Sequence, residues 1–401
     1  MHFMSETYSP TLAAAQARIA AVQPSAYART RNAIDGAVSG LSPYITHGLV
    51  SLSDVLAGVA ARHELAVQHK FVYELGWRAY FRHVWQHRGE NILQSLHDGP
   101  LPDAAYAVAL PADIRFGCTD VPVINQAVRT LYATGMLHNH ARMWLASYVV
   151  HLRKVHWRCG ADWLYGHLLD GDLASNHLSW QWVAGTGSHK PYLFNAENVA
   201  RYAPASWHSP GSLIDASYET LDRVARQPKQ YPPAATHQPP EIEPPLLGEP
   251  PAALGAIVAD PELVKGREVW LVHPWNLGTL PALPQGTLVL GLFVGDFHRA
   301  WPWSDRRWRF VDARMAELTP HRWYDDAAAI GAALAGAKRV RSVDEPHLAP
   351  WLARWAECIA APALFPQVAR RCDSFSQWWN RASRGLQSAA DLLNVNKAPA
   401  W

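Results

Sequence analysis

The chain is short of charge. Asp, Glu, Lys and Arg make up only 17% of its 401 residues and leave a formal net charge of +2. That balance excludes a polycationic surface, so any contact with nucleic acid needs a local basic patch. Cysteine is scarce: Cys118, Cys159, Cys358 and Cys372 are the four, and none belongs to a C-x-x-C pair. Neither a zinc nor an iron–sulfur centre is therefore expected, and no metal site is assigned. Reduced thiols fit a cytoplasmic protein. No apolar run reaches about 18 residues, so no membrane-spanning helix is expected. The first twenty residues lack a charged stretch leading into an apolar one, so no signal peptide is expected. G-x-G-x-x-G and Walker loops are both missing, which leaves a dinucleotide site of those types unsupported.

Aromatics and histidine are abundant instead, with 19 Trp and 20 His. The length suits two domains with their own cores. Apolar residues recur at helical spacing in Leu12–Val22, Phe71–Trp85, Pro122–Tyr132 and Ala141–Val155, and Ser51 caps a helix start. Residues 1–202 thus read as an all-helical domain. Residues 203–262 are dense in proline, including Pro232-Pro233, Pro239-Pro240, Pro244-Pro245 and Pro250-Pro251. Proline excludes helix and central strand alike, so this part reads as an extended linker after a last short helix near Ser212–Val224. Residues 263–401 alternate strand-like and helix-like runs. Glu268–His273, Thr287–Val294 and Arg339–Val343 read as buried parallel strands, and Arg306–Leu318 and Ala327–Leu334 as helices. That alternation predicts a small doubly wound parallel α/β domain.

The stretch Gly135–Tyr192 interleaves Trp, His, Asn and Asp with apolar residues. Buried polar groups must be hydrogen-bonded, and a large flat ligand with polar edges would satisfy them. Within it, His138-Asn139-x-x-Arg142-Met143, Trp157-Arg158, Asp170-Gly171-Asp172-Leu173-x-x-Asn176 and Trp180-Gln181-Trp182 follow in order. Upstream stand Tyr27-Ala-Arg-Thr-Arg31, Ser39-Gly40-Leu41-Ser42 and Phe71-x-x-Glu74-x-x-Trp77-Arg78. This set resembles the FAD domain of the photolyase/cryptochrome family over roughly Tyr27–Tyr202, with the usual domain order rearranged: helical domain first, antenna-like α/β domain last.

The resemblance implies FAD as cofactor. It implies that Tyr27, Val38, Ser39, Gly40, Leu41 and Ser42 hold the phosphates, Val38 replacing the family's Thr. Phe71, Arg78, Asn139, Arg142, Asp170, Gly171, Asp172, Leu173 and Asn176 would surround the rest of the cofactor, with Arg142 and Asp170 as an ion pair and Asn176 facing the flavin. It further implies light-driven splitting of cyclobutane pyrimidine dimers in UV-damaged DNA, a carbon–carbon lyase reaction. Glu74 and Asn139 would hydrogen-bond the lesion, Trp77 and Trp182 would stack on it, and Met143 would wall the pocket. Trp180 and Trp157 match the first two members of an electron relay whose third Trp is absent near Asp103–Tyr106, and Asn125 stands where many members carry Asp. Arg29, Arg31, Arg78, Arg82, His83, His87 and Arg88 could form a phosphate-binding rim. The alternative is a cryptochrome-like blue-light photoreceptor without repair, acting through a protein partner of unknown identity. A second, antenna chromophore in the α/β domain stays open: a folate, a deazaflavin, a flavin, or none.

Overall fold

The computed structural model describes residues 8–229 and 240–395. It divides into two compact units that interleave along the chain. Among the described residues, one comprises Gln23–Val38 and Phe81–Pro244, and the other Tyr8–Val22, Ser39–Tyr80 and 245–395.

The first unit is helical. Helix Pro122–Thr134 begins with proline, whose fixed φ suits the first turn, and stops at Gly135, whose φ of 70° only glycine adopts readily. Asn139–Ser147 follows, with the His138 ring accepting from the His140 amide. This helix was expected to run to Val155. It passes instead into one wide turn over Tyr148–Leu152 and ends at Lys154, whose φ is 51°. Trp157–His167 and Leu173–Ala184 complete the centre. Asp172 caps the latter by accepting from the Ser175 amide at 2.8 Å, and Gly185 ends it at a φ of 82°. Trp144, Tyr148, Leu145 and Val149 are fully buried between these helices.

The segment expected to be a linker starts as part of this core. Trp207, Ile214 and Leu221 are buried in it, and helix Tyr218–Ala225 carries the last of them. Large apolar side chains outweigh the proline content here, because burial of each contributes roughly 1.5–3 kcal/mol. Farther on, Glu241 pairs with Arg129 and Glu243 with Arg115, each at 2.7 Å. Pro232, Pro233 and Pro239 lie outside the described residues.

The second unit contains a five-stranded, wholly parallel sheet: β1 Glu268–Val272, β2 Leu288–Val294, β3 Arg322–Asp325, β4 Arg339–Val343 and β5 Glu357–Ile359. Their spatial order is β3-β2-β1-β4-β5. The strand direction of winding therefore reverses between β1 and β4. The central strands are covered on both faces, which accounts for their near-continuous apolar runs. β3 and β5 were not expected. They are short edge strands of sequence RWYD and ECI, without such a run. Helices Gly295–Ala300 and Asp305–Leu318 lead from β2 to β3, Ala327–Leu334 leads to β4, and Ala349–Trp355 to β5. β1 reaches β2 through residues 273–287 without a helix.

This unit also takes in helices from the first fifth of the chain, which the reading of residues 1–202 as one domain did not foresee. Leu52–Ala60 starts in a capping box between Ser51 and Asp54 and packs Gly58 against Ile19 of Leu12–Ala21. The beginning of Lys70–Arg88 lies against the late helix Phe375–Ala382, where a side chain at Gly76 would meet the Trp379 ring at 2.5 Å. Aromatic packing, not chain order, sets these boundaries.

Candidate functional site

In the helical unit, the residues around Asp170 form a connected polar network. Arg142 donates to both Asp170 oxygens at 2.8 and 2.9 Å and to the Leu137 carbonyl at 2.7 Å. The expected ion pair is therefore formed, one guanidinium nitrogen donating to both oxygens, with the carboxylate buried. The turn Leu168–Asp172 that presents it is tied down by a Leu169 amide bond to the Gly135 carbonyl at 2.7 Å. Asn176 is buried, and its Nδ2 donates to the Ala161 carbonyl at 2.8 Å, which fixes the plane of the amide. Its neighbour His177 bridges Asp162 at 2.8 Å and the Leu173 carbonyl at 2.9 Å, and Arg158 meets the same Asp162 at 2.5 Å. His177 and Asp162 were not singled out from the sequence, because nothing local links two residues fifteen apart on different helices.

Histidines at the start of Asn139–Ser147 are shifted toward the neutral form. Burial, with His140 second, pushes His138 down to about 4, and burial also lowers His140. Arg142 and Asp35 act on His138 with opposite signs, and Arg31 lowers His140 further. Asn139 is exposed, and its Nδ2 lies 3.5 Å from the Met143 sulfur, so these two expected lesion contacts adjoin one another. Trp182 is 39% exposed beside Tyr192, whereas Trp180 and Trp157 are buried. Trp180 lies over Gly160, where a Cβ would come within 2.4 Å of its ring, and Trp157 donates to Ser95 at 3.0 Å. From Trp157, ring contacts lead to His156 at 5.7 Å and from it to Tyr106 at 6.3 Å. Burial and then Asp103 push the Tyr106 phenol up to about 12. Asn125 is used internally, accepting from the Thr119 amide at 2.8 Å. Tyr27 and Arg31 sit in Pro24–Thr30 and at its C-terminal end, where Arg31 donates to the Ala28 carbonyl. Val38 is half-buried.

The remaining expected residues belong to the other unit. Gly40 has a φ of 61° in the Ser39–Ser42 turn, and a Cβ there would sit 2.3 Å from Arg18, a cation that the sequence reading missed. Ser39 Oγ accepts from the Leu41 amide at 3.4 Å, and the helix beyond, Ser42–Thr46, has only five residues. Phe71 is buried. Glu74 is about one-third exposed and pairs with Lys70 at 3.2 Å. Arg78 donates to Thr46 at 2.9 Å. Trp77 stacks on Phe375, with ring centroids 4.0 Å apart and planes at 14°. Of the basic rim, His83 drops out, since it is buried and, chiefly for that reason, lowered to about 4.

Residues 71–236 match the family described as the FAD binding domain of DNA photolyase. This segment is similar to the FAD-binding domain of the photolyase/cryptochrome family. A deoxyribodipyrimidine photo-lyase of Streptomyces griseus is 36% identical over 155 residues, 38% of this chain and 33% of that protein. A cryptochrome DASH of Idiomarina loihiensis is 31% identical over 210 residues, covering 49% of this chain and 46% of its own. Among solved structures, a Synechocystis cryptochrome aligns over 50% of this chain and 45% of its own, with 25% identity and a TM-score of 0.45. The matched part thus spans between a third and a half of these relatives. FAD is the group that a domain of this family binds, and the polar network around Arg142, Asp170 and Asn176 suits it: a balanced ion pair and a fixed amide offer hydrogen bonds without excess charge. No helix among the described residues is long and apolar enough to cross a membrane, and no cluster of His, Cys, Asp and Glu among them could hold a metal ion.

Proposed function

We propose that the protein is a light-driven, FAD-dependent lyase that splits cyclobutane pyrimidine dimers in damaged DNA. Bound FAD would supply light absorption and the electron. The observation that carries this reading is Trp182, a large ring left exposed while Trp180, two residues before it, is buried. A surface Trp, with adjoining Asn139 and Met143 earlier in the same unit and in the family's order, would supply a stacking face, an amide and an apolar wall, which are the elements that an extruded base requires. Arg142 and Asp170 would hold the cofactor's edge, and the Asn176 amide, held by Ala161, would face its ring. Arg29 and Arg31 would contribute to the phosphate contacts. Tyr106 would stand in for the missing third Trp, joined to Trp157 through His156.

The test is blue-light treatment of an oligonucleotide carrying one thymine cyclobutane dimer, with purified protein and reduced FAD. Restoration of intact thymines in the light alone is expected, and Glu74→Ala should lower the yield with FAD retained. A photoreceptor without repair is the second reading. The Trp77–Phe375 stack favours it, because one face of the expected lesion-stacking ring is already covered. FAD bound and light-reducible, with no thymine restored, would select that reading.

A further inference from the structure

In doubly wound sheets, ligands enter the crevice at the carboxyl ends of the strands where the winding reverses. Here that place lies between Val272 at the end of β1 and Val343 at the end of β4. His273 Nε2 bridges it, 3.0 Å from the Val343 carbonyl. Trp275 follows immediately and is 6% exposed. Its indole stacks on His347 with centroids 4.3 Å apart at 11°. Phe297 meets it edge-on at 5.1 Å and Trp303 at 5.9 Å. His347 is held in turn by buried Glu345 at 2.5 Å. The Trp275 N–H finds no acceptor among the described residues, so the ring is placed by shape.

The mouth is closed from the same unit by a segment from early in the chain. His47 Nδ1 lies 2.7 Å from the Pro274 carbonyl, and the Leu277 amide donates to the His47 carbonyl at 3.0 Å. Gly48 approaches so closely that a Cβ would come within 2.2 Å of the Trp275 carbonyl, and a Cβ at Gly278 within 2.8 Å of the Gly48 carbonyl. Phe310, from helix Asp305–Leu318, supports Tyr44 at 5.9 Å and His47 at 5.7 Å.

We propose that the crevice at this reversal point is occupied by the chain's own Trp275 and sealed by His47-Gly48, so that it takes no flavin or folate. The α/β part then serves as the seat of residues 39–49, including the Ser39–Ser42 turn, and not as a chromophore carrier. This holds whether the protein repairs DNA or signals.

The experiment is equilibrium dialysis of the FAD-saturated full-length protein against FMN and, separately, 5,10-methenyltetrahydrofolate, together with thermal melting of Trp275→Gly. No binding beyond the FAD equivalent is expected. Removing a packed indole should lower Tm by about 10 °C. Saturable binding of one equivalent of either probe by the wild type overturns the proposal, and so does an unchanged Tm in W275G. If W275G does not fold, His347→Ala gives the same comparison with a smaller fall. A protein that retains no FAD refutes the flavin reading instead and leaves the crevice result readable by dialysis.

Discussion

Lys154 gives the most quantitative prediction. Its side chain is fully buried, and its three N–H groups meet the carbonyls of His151 at 2.7 Å, Val224 at 2.8 Å and Ala225 at 3.0 Å. It thus joins the wide turn Tyr148–Leu152 to the C-terminal carbonyls of helix Tyr218–Ala225. Burial lowers its pKa from 10.5 to about 8. Between those values the unfolded chain holds one more proton than the folded one, so the free energy of unfolding rises with pH. Below about 8 both states are protonated, and the contribution is flat at its least favourable level. The slope is at most about 1.4 kcal/mol per pH unit, and the whole rise about 3 kcal/mol. Lys154→Met removes the titration and, with it, the hydrogen bonds to three buried carbonyls. The absolute stability change mixes these opposing effects, but the pH slope isolates the first. Urea midpoints read from helical circular dichroism between pH 7 and 10.5, at constant FAD saturation, should rise more steeply for the wild type than for K154M. Other groups titrating in this range cancel in the difference. Parallel slopes would show that the ammonium is not desolvated and would refute the reasoning.

Three further outcomes follow from the site. Trp182→Ala should weaken binding of a dimer-containing oligonucleotide by about 5- to 150-fold, the equivalent of roughly 1–3 kcal/mol of stacking, measured by fluorescence anisotropy with FAD content unchanged. Gly40→Ala forces a φ of 61° on a residue with a Cβ, at about 1–2 kcal/mol, so FAD affinity in a fluorescence titration should fall by about 5- to 30-fold. Arg142→Ala removes the guanidinium partner of the buried Asp170 carboxylate, with an expected loss of about 3 kcal/mol that shows as a lower Tm and depleted FAD after gel filtration.

What was legible in the sequence is what local chemistry decides. Ala327–Leu334 and Arg339–Val343 have the bounds that their periodicity gave, and the helix starts at Pro122 and Ser51 carry the expected proline and cap. Arg142 and Asp170 were expected to meet, and they do. The edge strands β3 and β5 escaped because an edge strand needs no apolar run, only a neighbour with free backbone groups. The helix predicted through Val155 ends early, and there the Lys154 ammonium meets the distant carbonyls of residues 224 and 225 besides that of His151, partners that no local pattern reveals.

The same cause explains the largest departures in the site. The spacing of Glu74, Trp77 and Arg78 along one helix was readable, but not their neighbours. Phe375 lies nearly three hundred residues beyond Trp77, and Thr46, which receives Arg78, lies thirty-two before it. A helix face that reads as a ligand wall is chemically the same as a face that binds another helix, since both need flat apolar rings with a few donors between them. Only the partner distinguishes them. Trp182 and Trp77 illustrate the point: both carry the aromatic surface that a base would stack on, yet Trp182 is exposed whereas Trp77 is half-buried with one face against Phe375. An account of the site resting on residue type alone would weight them equally. The exposure of Trp182 gives it the greater claim on a substrate.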